Sequence, residues 1–292
     1  MYCEYYGLEK RPFEMTPDPS FLYLSDTHRE GLATLVYTIQ SGKGFVVLTG
    51  EVGTGKTTLL HALLGQLDSN TASAFLFNPR LDVLDFFRIL FDEFGIETRC
   101  RTKGEYLLAL NRFLLSLLER NQSAILIVDE AQNLSPDLLE EIRLLSNLET
   151  ATSKLIQIML VGQPELNDLL GRPELRQLRQ RVALRHELRP FDRKETAEYV
   201  EQRLQRAGFT GKQIFKKSAL HEIYKVTGGI PRLINIVCDS ALLQGYSREM
   251  KSCDGSRIRD VARDLDLVPQ EPAEPTTRSE AGGSRRWFGL FG

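Results

Sequence analysis

No stretch of this chain constrains its fold as tightly as Gly50-Glu51-Val52-Gly53-Thr54-Gly55-Lys56-Thr57, which spells G-x-x-x-x-G-K-T. The string follows an apolar, β-branched run, Phe45-Val46-Val47-Leu48-Thr49, and precedes Thr58-Leu59-Leu60-His61-Ala62-Leu63-Leu64, which has helical character. Strand, glycine loop and helix in that order are the context a phosphate-binding loop requires. Glycines let backbone N–H groups turn inward around an anion, and the helix N-terminus adds partial positive charge. The backbone from Gly50 through Glu51, Val52, Gly53, Thr54, Gly55, Lys56 and Thr57 to Thr58 is therefore expected to cradle phosphates. Lys56 is expected to reach the β- and γ-phosphates as a point charge, and Thr57 to place its hydroxyl on Mg²⁺.

A second stretch completes a nucleotide site. Ala124-Ile125-Leu126-Ile127-Val128 reads as a strand buried on both faces, hence part of a parallel sheet, and it ends in Asp129-Glu130. The C-terminal ends of such strands face the ligand crevice. Asp129 is expected to hold Mg²⁺, mostly through water, and Glu130 to orient and polarise the attacking water. A strand running into an acidic turn gives the same letters, but downstream of a phosphate loop the metal-site reading is the stronger. Leu155–Gly162 is a further buried strand, and Gln163 at its end is a candidate for sensing the γ-phosphate, although a plain turn residue fits there almost as well.

The totals exclude several other classes. A net charge of −2 gives no global basic field that would demand nucleic acid. The four cysteines, Cys3, Cys100, Cys238 and Cys253, form no C-x-x-C pair, which argues against zinc and against a disulfide framework and suits a reducing cytoplasm. No apolar run approaches a membrane span, and the first residues, with Glu4, Glu9 and Lys10 among aromatics, do not read as a signal peptide.

In chain order, residues 1–25 interleave Tyr2, Tyr5, Tyr6, Phe13, Phe21 and Tyr23 with Pro12, Pro17 and Pro19, so no long helix is expected. Two readings fit this segment equally: a strap packed on a domain surface, or a wall for the adenine base. Residues 26–190 read as an α/β nucleotide-binding domain that opens on a helix capped by Ser25. Helices are expected to about Leu67, over about 82–94 and 104–120, and over Pro136–Leu148, with a strand at Ala72–Phe77. Arg172, Arg176, Arg179, Arg181, Arg185, Arg189 and Arg193 crowd the approach to and exit from a last strand, Val182–Leu188. Such a run is usually a solvated face. An arginine just before that strand is also placed to reach a neighbouring subunit's nucleotide; Arg181 is the first choice and Arg179 the second.

After Pro190 the texture becomes all-helical, and residues 191–267 read as a small lid domain. Its third helix opens on Gly228-Gly229-Ile230-Pro231-Arg232, with proline at a favoured start. Arg232 is a candidate to touch phosphate from the lid side. Residues 268–292 are rich in Pro, Glu, Ser and Gly and are expected to be disordered, ending in Arg285-Arg286-Trp287-Phe288-Gly289-Leu290-Phe291-Gly292. That end fits a docking peptide, a weak membrane-touching tail or an untethered terminus.

Together these features resemble an AAA+ ATPase. Tyr6-Gly7-Leu8, Pro12-Phe13, Thr16-Pro17-Asp18-Pro19, Phe21-Leu22-Tyr23, His28, the phosphate loop, Asp129-Glu130-Ala131-Gln132 and Val161-Gly162-Gln163-Pro164-Glu165-Leu166 are similar to the general secretion pathway protein A (ExeA-type) ATPases. They are also similar to ATPases associated with exosortase and exopolysaccharide loci. The resemblance covers about residues 1–265. It implies a P-loop NTPase with a five-stranded parallel sheet of the AAA+ type plus a helical lid, ATP and Mg²⁺ as ligands, and self-association into a ring or dimer through the arginine finger. It also implies Asn78 as a switch residue contacting Glu130. Secretion-type members continue past the lid into a transmembrane helix and a peptidoglycan-binding domain, which this sequence does not carry. The departure points away from inserting a secretin through the cell wall. It points toward a cytoplasmic ATPase, peripheral at the inner membrane, that serves a membrane-bound export or polysaccharide system. The competing expectation is a DNA-associated regulatory ATPase of the transposition target-selection type, for which the arginine-rich stretch is the support and the near-neutral charge the objection. A third, a nucleotide-binding adaptor that never turns over, leaves Glu130 without a purpose.

Overall fold

Five short runs, apolar in the centre and more mixed at the edges, form one parallel sheet in the computed structural model, which describes residues 1–15, 21–67, 70–77, 81–97 and 99–267. They are β1 (Phe45–Gly50), β2 (Thr71–Leu76), β3 (Ser123–Val128), β4 (Gln157–Gly162) and β5 (Val182–Leu188), in the spatial order β2-β3-β4-β1-β5. All pairings are parallel, with Val47 opposite Leu160 on one side and Arg185 on the other. The fold is the expected α/β P-loop architecture with a five-stranded sheet.

Alternation within the central strands divides the core into two layers. Phe45, Val47, Leu126, Val128, Ile158 and Leu160 face a layer formed mainly by α4 (Val83–Glu93), α5 (Lys103–Glu119) and α6 (Pro136–Leu145). Val46, Leu48, Ile125, Ile127, Met159 and Val161 face α2 (Asp26–Gln40) and α3 (Lys56–Leu64). The helix starts are chemically marked. Ser25 caps α2 and Ser135 caps α6, while Thr102 and Glu105 close a capping box on α5. Two helices stop short of expectation: α3 ends at Leu64 and α6 at Leu145. In the second case Ser146 donates its hydroxyl to the Arg143 carbonyl, and the chain then turns so that Leu155 N–H reaches the Leu148 carbonyl. That bond holds Leu155 outside β4, which begins at Gln157.

Beyond β5, short helices α7 (Glu165–Gly171) and α8 (Arg176–Arg181) having preceded it, the chain forms α9 (Arg193–Arg206), α10 (Lys217–Thr227), α11 (Pro231–Ser247) and α12 (Gly255–Asp264). The N-terminal segment belongs with these helices. It opens on a single short helix, α1 (Tyr2–Tyr6), ahead of the first proline. Tyr2, Tyr6, Leu8, Phe13 and Phe21 are buried in one cluster with Tyr199, Ile223, Ile234 and Val237. Tyr2 donates to Asp239 at 2.5 Å and Tyr6 to the Met250 carbonyl at 2.9 Å. Pro17 and Pro19 lie outside the described residues.

Arg203 is the rivet between strap and lid. Its Nε donates to the Pro12 carbonyl at 2.5 Å and an Nη to the Glu14 carbonyl at 3.4 Å, while the other Nη reaches the Tyr199 hydroxyl at 2.8 Å. The guanidinium also lies 4.7 Å from the Phe21 ring centroid. Planar donors spread over two backbone carbonyls and a phenol are a task for arginine rather than lysine. Arg203→Ala is expected to lower stability by about 2–4 kcal/mol, because a buried charge-assisted hydrogen bond contributes roughly 1.5–3 kcal/mol. Arg203→Lys is expected to recover little of it. Thermal unfolding, with limited proteolysis of the first residues as a local readout, checks both.

Candidate functional site

The phosphate loop hangs between the buried end of β1 and the first turn of α3. Gly53 takes a left-handed φ of +82°, and a Cβ there would stand 2.7 Å from Cβ of Arg232, so both backbone conformation and the lid demand glycine. Thr54 closes the loop by donating its hydroxyl to the Glu51 carbonyl at 2.8 Å. Lys56, although a lysine, is only 7% exposed. Its Nζ donates to the carbonyls of Gly50 at 2.7 Å and Glu51 at 3.0 Å. Burial pushes the ammonium's pKa down, and the carboxylates of Glu130, Asp129, Glu51 and Glu165 pull it back up.

The acidic strand tip lies close to the loop. Asp129 Oδ1 accepts the Glu130 N–H at 2.9 Å, and Lys56 and Thr57 are among the groups that favour its charged form. Burial raises the Asp129 pKa, and its hydrogen bonds oppose the rise. Glu130 adopts a left-handed φ of +52°, rare for a residue with a side chain. Its Oε2 accepts the side-chain amides of Gln132 at 2.5 Å and Gln163 at 3.1 Å. Lys56, Thr57, Glu130 and Arg232 line one cavity of about 810 Å³, and Asp129 sits behind it. That volume lies inside the roughly 300–1,000 Å³ range of small-molecule sites.

The cavity walls come from the strap and the lid. Leu22 and Tyr23 of the strap line it, as do Tyr199 and Asn235 of the lid. The strap thus packs on the lid and also walls the cavity. Arg232 meets the loop through its backbone as well, its N–H reaching the Gly53 carbonyl at 3.3 Å. Arg181 and Arg179 do not line this cavity. Arg181 donates to the Ser146 hydroxyl at 2.8 Å and Arg179 to the Gly171 carbonyl at 3.3 Å. Asn78 lies outside the described residues.

The donor set fits a magnesium–nucleotide complex. A hydroxyl on the cavity wall and a carboxylate at the adjoining strand tip suit a cation that takes few protein ligands and fills its shell with phosphate and water. Among the described residues no cluster of three or more His, Cys, Asp or Glu offers a competing cation site.

Motif reading alone gave His28 no function. It lies on the first turn of α2 and is 2% exposed. Its Nε2 lies 3.1 Å from the Thr54 carbonyl, and its Nδ1 lies 2.8 Å from the Ser25 hydroxyl. A carbonyl only accepts, so Nε2 carries the proton and Nδ1 accepts from serine. Burial is the main cause that lowers the pKa of His28 from 6.5 to about 4, only partly offset by the Thr54 bond. Between those values the unfolded chain binds the proton more tightly. Stability from this neutral ring is therefore complete above the unfolded value and lost as pH falls through the window toward the folded one. Wild type is expected to lose more of its thermal midpoint between about pH 7 and about pH 5 than His28→Gln does. Equal losses would show that the ring does not couple the loop to acidity.

The family described as an AAA domain matches residues 39–170. General secretion pathway protein A of Aeromonas hydrophila is 45% identical over 249 residues, which is 85% of this chain and 45% of that protein. The chain thus spans under half the length of that relative. Drosophila ORC bound to DNA superposes with a TM-score of 0.66 at 17% identity, over 87% of this chain and 64% of that one. The Aeropyrum pernix ORC2 protein in ADPNP–ADP complexes superposes with a TM-score of 0.62 at 16% identity, over 88% and 72%. At these identities the structural matches speak to the fold alone.

Proposed function

The chain belongs to the AAA+ ATPases related to general secretion pathway protein A, and from that premise we propose that it binds ATP with Mg²⁺ and hydrolyses the β–γ phosphoric anhydride bond. The observation that carries the reading is the single cavity that Lys56, Thr57 and Glu130 line together, with Asp129 next to Glu130 at the same strand tip. Lys56 exchanges its two loop carbonyls for β- and γ-phosphate oxygens. The loop amides and the N-terminus of α3 hold the phosphates, and Arg232 approaches from the lid. Glu130 takes the proton of the water that attacks the γ-phosphorus. The bond to the bridging oxygen breaks, and ADP and inorganic phosphate leave. Thr57 and Asp129 would hold the metal, which when bound would supply charge that neutralises the phosphates. Gln163 positions Glu130 and senses the γ-phosphate.

Arg181, with Arg179 as the alternative, serves the nucleotide of a neighbouring copy in a ring or dimer. Support for this comes from where both arginines sit, away from the chain's own cavity. The assembly serves a bacterial envelope export or exopolysaccharide system from the cytoplasmic side of the inner membrane. The similarity to general secretion pathway protein A supports that role. Among the described residues no helix is long and apolar enough to cross a membrane. The Trp287–Phe291 tail, a candidate membrane or partner contact, lies outside them.

Release of phosphate from Mg-ATP tests the reading. Lys56→Ala is expected to abolish turnover. Glu130→Gln is expected to retain ATP while turnover falls by about 10²–10⁴-fold, the range for loss of a general base. Undiminished turnover in either variant would overturn the assignment, and DNA affinity that falls steeply with salt and stimulates turnover would favour a DNA-associated role instead. Arg181→Ala is expected to be slow alone and to recover when mixed with Glu130→Gln, since one copy then supplies the arginine and the other the carboxylate. No recovery on mixing would count against an arginine acting between copies.

A further inference from the structure

The carboxylate of Glu130 is tied down by one oxygen. Both side-chain amides that reach it, from Gln132 and Gln163, bond Oε2, while the residue itself lines the cavity. Gln132 lies in the 3₁₀ turn Ala131–Asn133 immediately after Glu130. Its other end is also committed: Oε1 accepts the backbone N–H of Gln163 at 3.1 Å. The result is a closed ring from Glu130 through Gln132 to the residue that follows β4, and back through the Gln163 side chain.

Two further features belong to this ring. Glu130 holds a left-handed backbone, uncommon for a residue with a side chain, at the point where the chain leaves β3 for the turn that carries Gln132. Gly162, the last residue of β4, leaves the space that Gln132 enters: a Cβ there would lie 2.6 Å from Gln132 Oε1.

We propose that Gln132 is a positioning residue for hydrolysis, fixing Glu130 through Oε2 to the end of β4 so that Oε1 is presented to the attacking water. This inference rests on the ATPase reading above. A bidentate amide suits the task because its donor and acceptor lie in one plane and cannot be satisfied independently. Gln163 donates to the same oxygen, but its own backbone is what Gln132 grips. Loss of Gln132 therefore frees both the carboxylate and its second partner. Displacements of about an ångström at a reacting group cost up to about a hundredfold in rate.

The test uses the full chain, phosphate release from Mg-ATP, equilibrium binding of a fluorescent non-hydrolysable ATP analogue, and thermal unfolding. Gln132→Ala is expected to lower kcat by about tenfold or more, while KM and analogue affinity stay within about twofold and the unfolding midpoint holds. Gln132→Glu is nearly isosteric and keeps the acceptor for Gln163 N–H. It sets a like charge on Glu130 and is expected to lose at least as much kcat. Gly162→Ala, which crowds Gln132 without removing it, is expected to reproduce the kcat loss. In a Glu130→Gln background, Gln132→Ala is expected to add nothing. Unchanged kcat in Gln132→Ala, or a loss matched by equal losses of affinity and unfolding midpoint, overturns the positioning role. A wild-type chain that releases no phosphate overturns the ATPase reading itself, and this inference with it.

Discussion

An anion cradle depends on the orientation of its peptide groups, and here four loop carbonyls are held by named partners. Gly50 and Glu51 give their carbonyl oxygens to Lys56 Nζ, and Glu51 also accepts the Thr54 hydroxyl. The Gly53 carbonyl accepts from Arg232 N–H, and the Thr54 carbonyl from His28. Each of these bonds fixes a peptide plane, and the Thr54 N–H adds a bond within the loop, to the Glu51 carbonyl. The cradle is thus set by three sources: its own lysine and threonine, the start of α2, and the start of α11. Its conformation before ligand arrives is maintained by groups that a phosphate replaces in part, Lys56 above all.

The sheet order brings the acidic partner to that cradle. β3, which Asp129 follows directly, is separated from β1 by β4 alone, so its tip and the tip of β1 look into the same crevice. β4 then supplies Gln163 between them. Three strands side by side deliver Asp129, Glu130 and the amide partners of Glu130 without any long loop. A continuous apolar strand places its last polar residue to within a fraction of a residue repeat, because pairing fixes the register on both sides.

The sheet and phosphate loop were legible because their signals are local. Buried parallel strands read as apolar runs, and the glycine loop needs its neighbours in fixed order. Lys56, Thr57, Asp129 and Glu130 converge because those elements are strands and turns of one sheet. The contacts that escaped are long-range. Nothing in Ser25-Asp26-Thr27-His28 announces a partner at Thr54, since the pairing exists only once α2 packs beside α3. Gln132 entered only as one letter of a family motif, and its role in holding Glu130 depends on the left-handed turn between them. The aromatic strap was recognisable as a packing segment, but composition does not say against what. Arg203, more than a hundred residues downstream, decides it by taking up the Pro12 and Glu14 carbonyls.

The strap and lid also touch the surroundings of the cavity at particular residues. They share one buried cluster, whose contacts to the phosphate loop and its flank are few and specific. Arg232 touches Gly53, the Phe191 ring packs 5.5 Å from that of His28, and Glu195 on α9 accepts the Asp26 N–H at the start of α2. Each of these contacts reaches either the loop or α2, the helix whose His28 grips the loop. Arg232 thus ties the lid to the loop, and Arg203 ties the strap to the lid. Packed clusters move as units rather than deforming continuously.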